Sequence, residues 1–270
     1  MRIINHATIR FGDETMNVLD GFSLVGKTAL VTGGAGLYGR QITQALCEAG
    51  AQTFIASRNL VELKKTADDS GAHAVYVDLA DENSINRLVD RIREETGGLD
   101  ILVNNAVTRC AVASWNVPMT LFDESLRINA SALFHLTRLS AELMKTGNGG
   151  SIINIGSYMG LLGPNPTNYE GTEMTTDSPI YFYEKGGMVN FTRWAASMLG
   201  PWQIRVNCIC AGGLENNQPE PFLKNYARNT MLGRLAGPND LKGIIVFLAS
   251  DASAYITGAN IPVDGGYSAK

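Results

Sequence analysis

Thr28-Ala29-Leu30-Val31-Thr32-Gly33-Gly34-Ala35-Gly36-Leu37-Tyr38-Gly39-Arg40 begins as an apolar run, turns on glycines and passes into a helical period. Thr28 to Val31 reads as a short buried strand. Ile42, Ala45, Leu46 and Ala49 then recur at the spacing that gathers them on one stripe of a helix from Tyr38 to Ala49, and Thr53 to Ala56 is a second strand. This is a βαβ unit. Glycines permit a tight turn and let backbone amides at a helix N-terminus approach a pyrophosphate. A lone glycine-rich turn is weak evidence, but one lying between a strand and a helix predicts a dinucleotide site, with Gly33, Gly36, Leu37 and Gly39 along the cofactor.

The alternation continues outward from this unit. Ala74 to Val77 is a strand, Ile85, Leu88, Val89 and Ile92 follow at helical spacing, and Ile101 to Val103 is a fourth strand. One long helix is expected from Leu121 to Lys145, closed by Gly147 to Gly150, with Ser151 to Ile155 as strand five. Tyr181 to Leu199 reads as a helix stopped by Gly200-Pro201, Arg205 to Cys210 as strand six, Asp240 to Ala249 as a helix and Asn260 to Val263 as the last strand. Strands alternating with helices predict the α/β class: a single-domain, Rossmann-like, doubly wound parallel sheet with helices on both faces and ligands at the carboxyl ends of its strands. Residues 1–24 lack clean periodicity and are expected to be an N-terminal arm, leaving 25–270 as one domain. The long irregular stretch 158–180, rich in Gly, Pro, Asn and Thr, is expected to serve the substrate.

Composition narrows the classes. Hydrophobic residues at 45% and charged residues at 18% describe a globular chain, and no apolar stretch approaches the roughly 20 residues of a membrane span. Arg10, Asp13 and Glu14 interrupt what a signal peptide would keep apolar, so a cytoplasmic protein is expected. A net charge of -4 without a basic cluster argues against a nucleic-acid partner. Cys47, Cys110, Cys208 and Cys210 form no disulfide framework and share no metal-ligand spacing with His6, His73 or His135. They read as reduced thiols, and no metal is expected.

Tyr181 and Lys185 stand one helical turn apart, so a phenol and an ammonium share a face. A phenol titrates near 10. Bringing it into working range near neutral pH requires roughly 3 to 4 kcal/mol, which one ammonium at about 4 Å in an effective dielectric of about 20 supplies. A helix dipole, worth about 0.3 to 1 kcal/mol, does not. At the end of strand two, where an acid would hold the ribose hydroxyls of NAD, stands Ser57-Arg58. The guanidinium suits a 2′-phosphate, so NADP is expected, with NAD possible.

Thr32-Gly33 with its glycines, Asp78 after strand three, Asn104-Asn105-Ala106 after strand four, Asn129, Ser157, Tyr181, Lys185 and the closing Gly258-Ala259-Asn260-Ile261-Pro262-Val263-Asp264-Gly265-Gly266 together resemble the short-chain dehydrogenase/reductase family. The likeness runs from about Phe22 to Tyr267. It implies that Tyr181 donates and accepts the proton, that Lys185 assists it and holds the nicotinamide ribose, that Ser157 steadies the substrate oxygen and that Asn129 holds a water linking Lys185 to solvent. It places Asp78 at the adenine and Asn105 and Ala106 along the cofactor, and it implies a homo-oligomer, a tetramer or a dimer. Four departures stand out: Leu37 and Val107 occupy positions commonly held by glycine, Ala211-Gly212 replaces Pro-Gly, and Asn216 lies where a threonine often meets the nicotinamide amide. The 24 positions from Ser157 to Tyr181 exceed the family's common spacing.

The resulting expectation is an oxidoreductase that interconverts a carbonyl and a secondary alcohol. Tyr158, Asn165, Asn168, Tyr169, Glu170, Thr172 and Glu173 in the long loop favour a small polar substrate resembling a sugar or sugar acid. A 3-oxoacyl-type reductase is the alternative, and a non-catalytic NADP-binding sensor is a rival from another class.

Overall fold

The computed structural model describes residues 17–109, 115–176 and 178–270. Most of the expected N-terminal arm, together with Cys110 and Asp177, lies outside the described residues. Among the described residues, seven parallel strands form one sheet in the order β3-β2-β1-β4-β5-β6-β7. They are β1 (Thr28–Thr32), β2 (Gln52–Ser57), β3 (His73–Tyr76), β4 (Ile101–Asn104), β5 (Gly150–Ile155), β6 (Ile204–Ala211) and β7 (Asn260–Val263). Strand order reverses between β1 and β4, so a crevice opens there at the carboxyl ends of the strands.

Every residue of β1 and β4 is buried, as strands covered on both faces should be. On one face Ile85, Leu88 and Ile92 of α3 (Glu82–Thr96) and Leu136 of a later helix pack with Leu30, Phe54 and Val206. On the other, Ile42 and Leu46 of α1 (Leu37–Glu48) join Leu63 of α2 (Leu60–Ser70) and Ile245 and Leu248 of α8 (Lys242–Ala249) over Val31, Ile55 and Ile153. The doubly wound expectation holds. The thiols of Cys208 and Cys210 are fully buried beside Met188 and Val189, and the described cysteines are free.

The single helix expected over Leu121 to Lys145 is divided. α4 (Met119–Leu126) leads into a π turn at Arg127–Ser131 and then into α5 (Ala132–Met144). In that widened turn the Ala132 amide reaches back five residues to the Arg127 carbonyl. Asn129 lies in it with its side chain drawn inward, the kind of local departure that often accompanies a functional site. The long helix α6 (Pro179–Leu199) begins two residues earlier than its apolar pattern, because Ser178 caps the Ile180 amide and Pro179 fits the first turn. α7 (Glu220–Asn229), preceded by Pro219, buries only Phe222 and Tyr226. Among the described residues no helix is long and apolar enough to cross a membrane.

Candidate active site

A cleft of about 750 Å³ lies over the strand ends and runs from β2 to α7. Its centre is the turn after β1. Gly33 has φ +66°, and a Cβ there would stand 3.0 Å from the Ala106 backbone. Gly39 has no room for a side chain either, because a Cβ would collide with the Gly33 carbonyl. The turn is fixed from β4: Asn105 Nδ2 donates to the carbonyls of Thr32 (3.0 Å) and Gly33 (2.9 Å), and the amides of Asn105 and Ala106 both donate to Thr32 Oγ1. No side chain caps α1 at Gly36, so its first amides face the cleft as a phosphate would require. Leu37, half exposed, starts the helix where a glycine was expected.

Ser57, Arg58 and Asp78 line the β2–β3 end of the same cleft. Glu62, the other acid lining that end, lies 3.4 Å from Arg40. Asp78 uses one carboxylate oxygen to cap the Ala80 amide at 2.9 Å.

At the opposite end stand Ser157, Tyr181 and Lys185, all buried and all lining the cleft. Ser157 ends the segment after β5, and its Oγ accepts from the Met159 amide at 3.1 Å, which leaves the hydroxyl proton to donate elsewhere. Lys185 Nζ donates to the Ile155 carbonyl at 2.7 Å and lies 5.6 Å from the centre of the Tyr181 ring. Burial lowers the Lys185 ammonium to about 8, with Arg109 adding to the effect. The Arg109 guanidinium also stands over the Tyr181 ring, 4.9 Å from its centre. Tyr38, Tyr158 and Tyr226 also line the cleft, and burial raises each of them, so they remain neutral hydroxyls. Tyr181 is set apart from these three by the lysine at its ring.

Asn129 does not line the cleft. Its Nδ2 donates to the Thr108 carbonyl (2.8 Å) and to Glu184 Oε2 (2.8 Å), while its Oδ1 accepts from the Thr108 amide (2.9 Å). Asn216 lies off the cleft, its amide held by Gln218.

Part of the long loop lines the cleft, but several of its polar side chains are engaged within the protein. Asn165 caps the Thr167 amide, Thr172 Oγ1 donates to the Tyr169 carbonyl, and Asn168, fully buried, donates to the Tyr267 hydroxyl (2.8 Å) and accepts from Asn229 Nδ2 (2.9 Å). Asn225 on α7 donates to the Glu170 carbonyl. These polar groups tie the loop to α7 and to the chain's end. The loop presents Tyr158, Met159, Tyr169, Met174 and Thr175 to the cleft, and α7 presents Phe222 and Tyr226.

Three further residues were not anticipated. Tyr38 reaches across the cleft and donates to the Gly212 carbonyl at 2.8 Å. Tyr226 accepts from the Gly213 amide at 2.6 Å. Glu184 is buried directly before Lys185, at a helix position that would ordinarily meet solvent.

A family model described as "Enoyl-(Acyl carrier protein) reductase" matches residues 36–268. The chain is 32% identical over 257 residues to the 3-oxoacyl-(acyl-carrier-protein) reductase FabG of Aquifex aeolicus strain VF5, covering 90% of this chain and 98% of that one. It is equally 32% identical to the 2-dehydro-3-deoxy-D-gluconate 5-dehydrogenase of Escherichia coli K12, covering 94% and 100%. Among solved structures, the Pseudomonas aeruginosa RhlG/NADP active-site complex superposes with a TM-score of 0.81 at 30% identity, covering 92% of this chain and 98% of that one. The chain belongs to the short-chain dehydrogenase/reductase family. It is an oxidoreductase of that family.

Proposed function

We infer that the protein binds NADP and interconverts a carbonyl and a secondary alcohol. The observation that carries this reading is the buried lysine at the Tyr181 ring, in a cleft where burial holds Tyr38, Tyr158 and Tyr226 neutral. The residues fit the dinucleotide: a turn with no room for Cβ atoms, an uncapped helix start at Gly36, and Arg58 with Ser57 in place of an acid. The likeness to the RhlG/NADP complex supports the same cofactor. When bound, NADPH supplies a hydride and NADP⁺ accepts one.

The protein's own groups then handle the oxygen. Tyr181 gives its hydroxyl proton to the carbonyl oxygen in reduction and recovers it in oxidation. Ser157 donates its free proton to the same oxygen, so two donors meet the charge that develops there. The Lys185 ammonium favours the phenolate left on Tyr181 and would help to hold the nicotinamide ribose of the bound cofactor. Asn129 keeps one oxygen lone pair for a relay water, its remaining side-chain valences being taken by Thr108, Glu184 and Ser125.

The substrate's remaining surface meets aromatic faces and methionines with a few polar groups among them, such as Thr175, Gln218 and the Tyr226 hydroxyl. A small hydroxylated ring suits that wall, laying its CH face on Tyr169 or Phe222 and its hydroxyls on the polar groups. Support for a sugar-like substrate thus rests on this wall and on the likeness to the gluconate-type dehydrogenase, since the loop's asparagines are engaged elsewhere. A 3-oxoacyl-type reductase is the second reading, favoured by the likeness to FabG and by Met159 and Met174. NADPH oxidation, followed by absorbance, over cyclic polyhydroxy ketones, keto-sugar acids and an acetoacetyl thioester separates the readings. The ring ketones are expected to give the highest kcat/KM, the thioester leading would select the second reading, and binding of NADPH with turnover of none would select a sensor. A cytoplasmic homo-oligomer completes the proposal, supported by the exposed apolar residues Phe134, Trp194 and Met198 on α5 and α6.

A further inference from the structure

Glu184 is 7% exposed, and the chemistry above gives it no part beyond accepting from Asn129. A carboxylate withdrawn from water is unfavourable unless protein donors replace the water. Here they do. Ser125 Oγ on α4 donates to Oε1 at 2.7 Å, and Asn129 Nδ2 in the π turn donates to Oε2 at 2.8 Å. Burial raises the Glu184 carboxyl, while Ser125, Asn129 and the Lys185 ammonium pull it back down. The carboxylate therefore joins α6 to the π turn at the residue next to Lys185.

The consequence lies one step further on. With Glu184 holding one amide hydrogen, Asn129 grips Thr108 at two points, its amide and its carbonyl. Thr108 belongs to the segment after β4 whose residues, Asn105 to Arg109, line the cleft, and Arg109 stands over the Tyr181 ring. A side chain that only filled space between α4 and α6 would need no carboxylate, since a methionine has nearly the same volume. We propose that Glu184 is a positioning residue: it orients the Asn129 amide, which fixes the Thr108 segment and so the wall beside Tyr181. The role rests on reading Tyr181 and Lys185 as the reacting pair.

The test uses the full chain and three variants, Glu184→Gln, Glu184→Met and Glu184→Asp. Hydrogen exchange of the Thr108 amide, NADPH affinity by fluorescence, and kcat and KM for the carbonyl compound that the wild type reduces fastest are measured on each. In Glu184→Gln the amide oxygen still accepts from Asn129 and its NH₂ can donate to Ser125, so exchange and kcat should stay within about threefold of wild type. Glu184→Met should speed Thr108 exchange and lower kcat by about tenfold each, with NADPH affinity changed less than about threefold. Glu184→Asp, which keeps the charge but withdraws it by one methylene, should move in the same direction and remains readable if the methionine variant does not fold. Equal behaviour of the glutamine and methionine variants, or a wild-type-like aspartate variant, overturns the proposal. Unmoved Thr108 exchange in a wild-type background that turns over normally refutes it alone. A wild type that binds NADPH and reduces no carbonyl compound refutes the reading of Tyr181, and this proposal with it.

Discussion

Replacing Lys185 by methionine should stabilise the protein at neutral pH while removing its activity. Burial moves this ammonium from 10.5 to about 8, and a difference of about 2.5 at roughly 1.4 kcal/mol each makes the charged lysine cost about 3 kcal/mol in the folded state. Losing the donor to the Ile155 carbonyl, 2.7 Å from Nζ, returns about 1 kcal/mol of that. The net gain is about 2 kcal/mol, or roughly 4 to 8 °C in Tm for a chain of this size. The dependence on pH has a definite sign. Unfolded, Lys185 keeps its proton up to 10.5, and folded it yields it near 8. Below 8 the whole penalty is present, it fades as pH rises through that window, and above 10.5 it is gone. The wild type should therefore close most of the gap to the variant by pH 10. Paired thermal melts at pH 7 and pH 10, at one protein concentration, read the effect. A variant that melts below the wild type at pH 7, or a gap that does not shrink by pH 10, would refute the electrostatic account of this site.

Two further outcomes follow from the geometry. Arg58→Ala should weaken NADPH binding about tenfold and leave NADH binding nearly unchanged, because the exposed guanidinium has only the 2′-phosphate to select for; parallel fluorescence titrations with the two cofactors check this. Asn168→Ala should lower Tm by roughly 4 to 8 °C, since it strips partners from the Tyr267 hydroxyl and Asn229 at a fully buried position, a loss of about 2 kcal/mol. Calorimetry reads that change, and it should be accompanied by a raised KM as α7 loosens.

The sheet was legible because fully buried parallel strands leave unbroken apolar runs, and Thr28 to Val31 can be read almost to the residue. Helices with a broad apolar stripe were equally plain. α2 and α7 were not, because each buries only two or three side chains: Leu63, Thr66 and Ala67 in one, Phe222 and Tyr226 in the other. Asn59 before α2 and the left-handed Gly71 after it are the capping signals that could have found the first. The break in the long helix at Asn129 escaped periodicity because a π turn adds a single residue to the repeat, and what draws it open is hydrogen bonding to Thr108 and Glu184, remote in sequence.

The site divides in the same way. Ser157, Tyr181, Lys185 and the glycine turn were recognisable from residue type and order, and they do line one cleft. The loop's asparagines were read as substrate ligands because a sequence shows polarity but not its direction. In the fold, Asn168 satisfies Tyr267 and Asn229, partners 99 and 61 residues away. Glu184 was passed over for a similar reason: a charged residue on a helix ordinarily faces water, and its burial becomes visible only with α4 and the π turn in place.

The central claim is that the Tyr181 hydroxyl carries the proton. Tyr181→Phe keeps the ring beside Lys185 and Arg109 and removes one oxygen. With the best carbonyl substrate of the wild type, kcat should fall by about 10² to 10⁴-fold while NADPH affinity stays within about threefold. Turnover at near the wild-type rate would contradict the account.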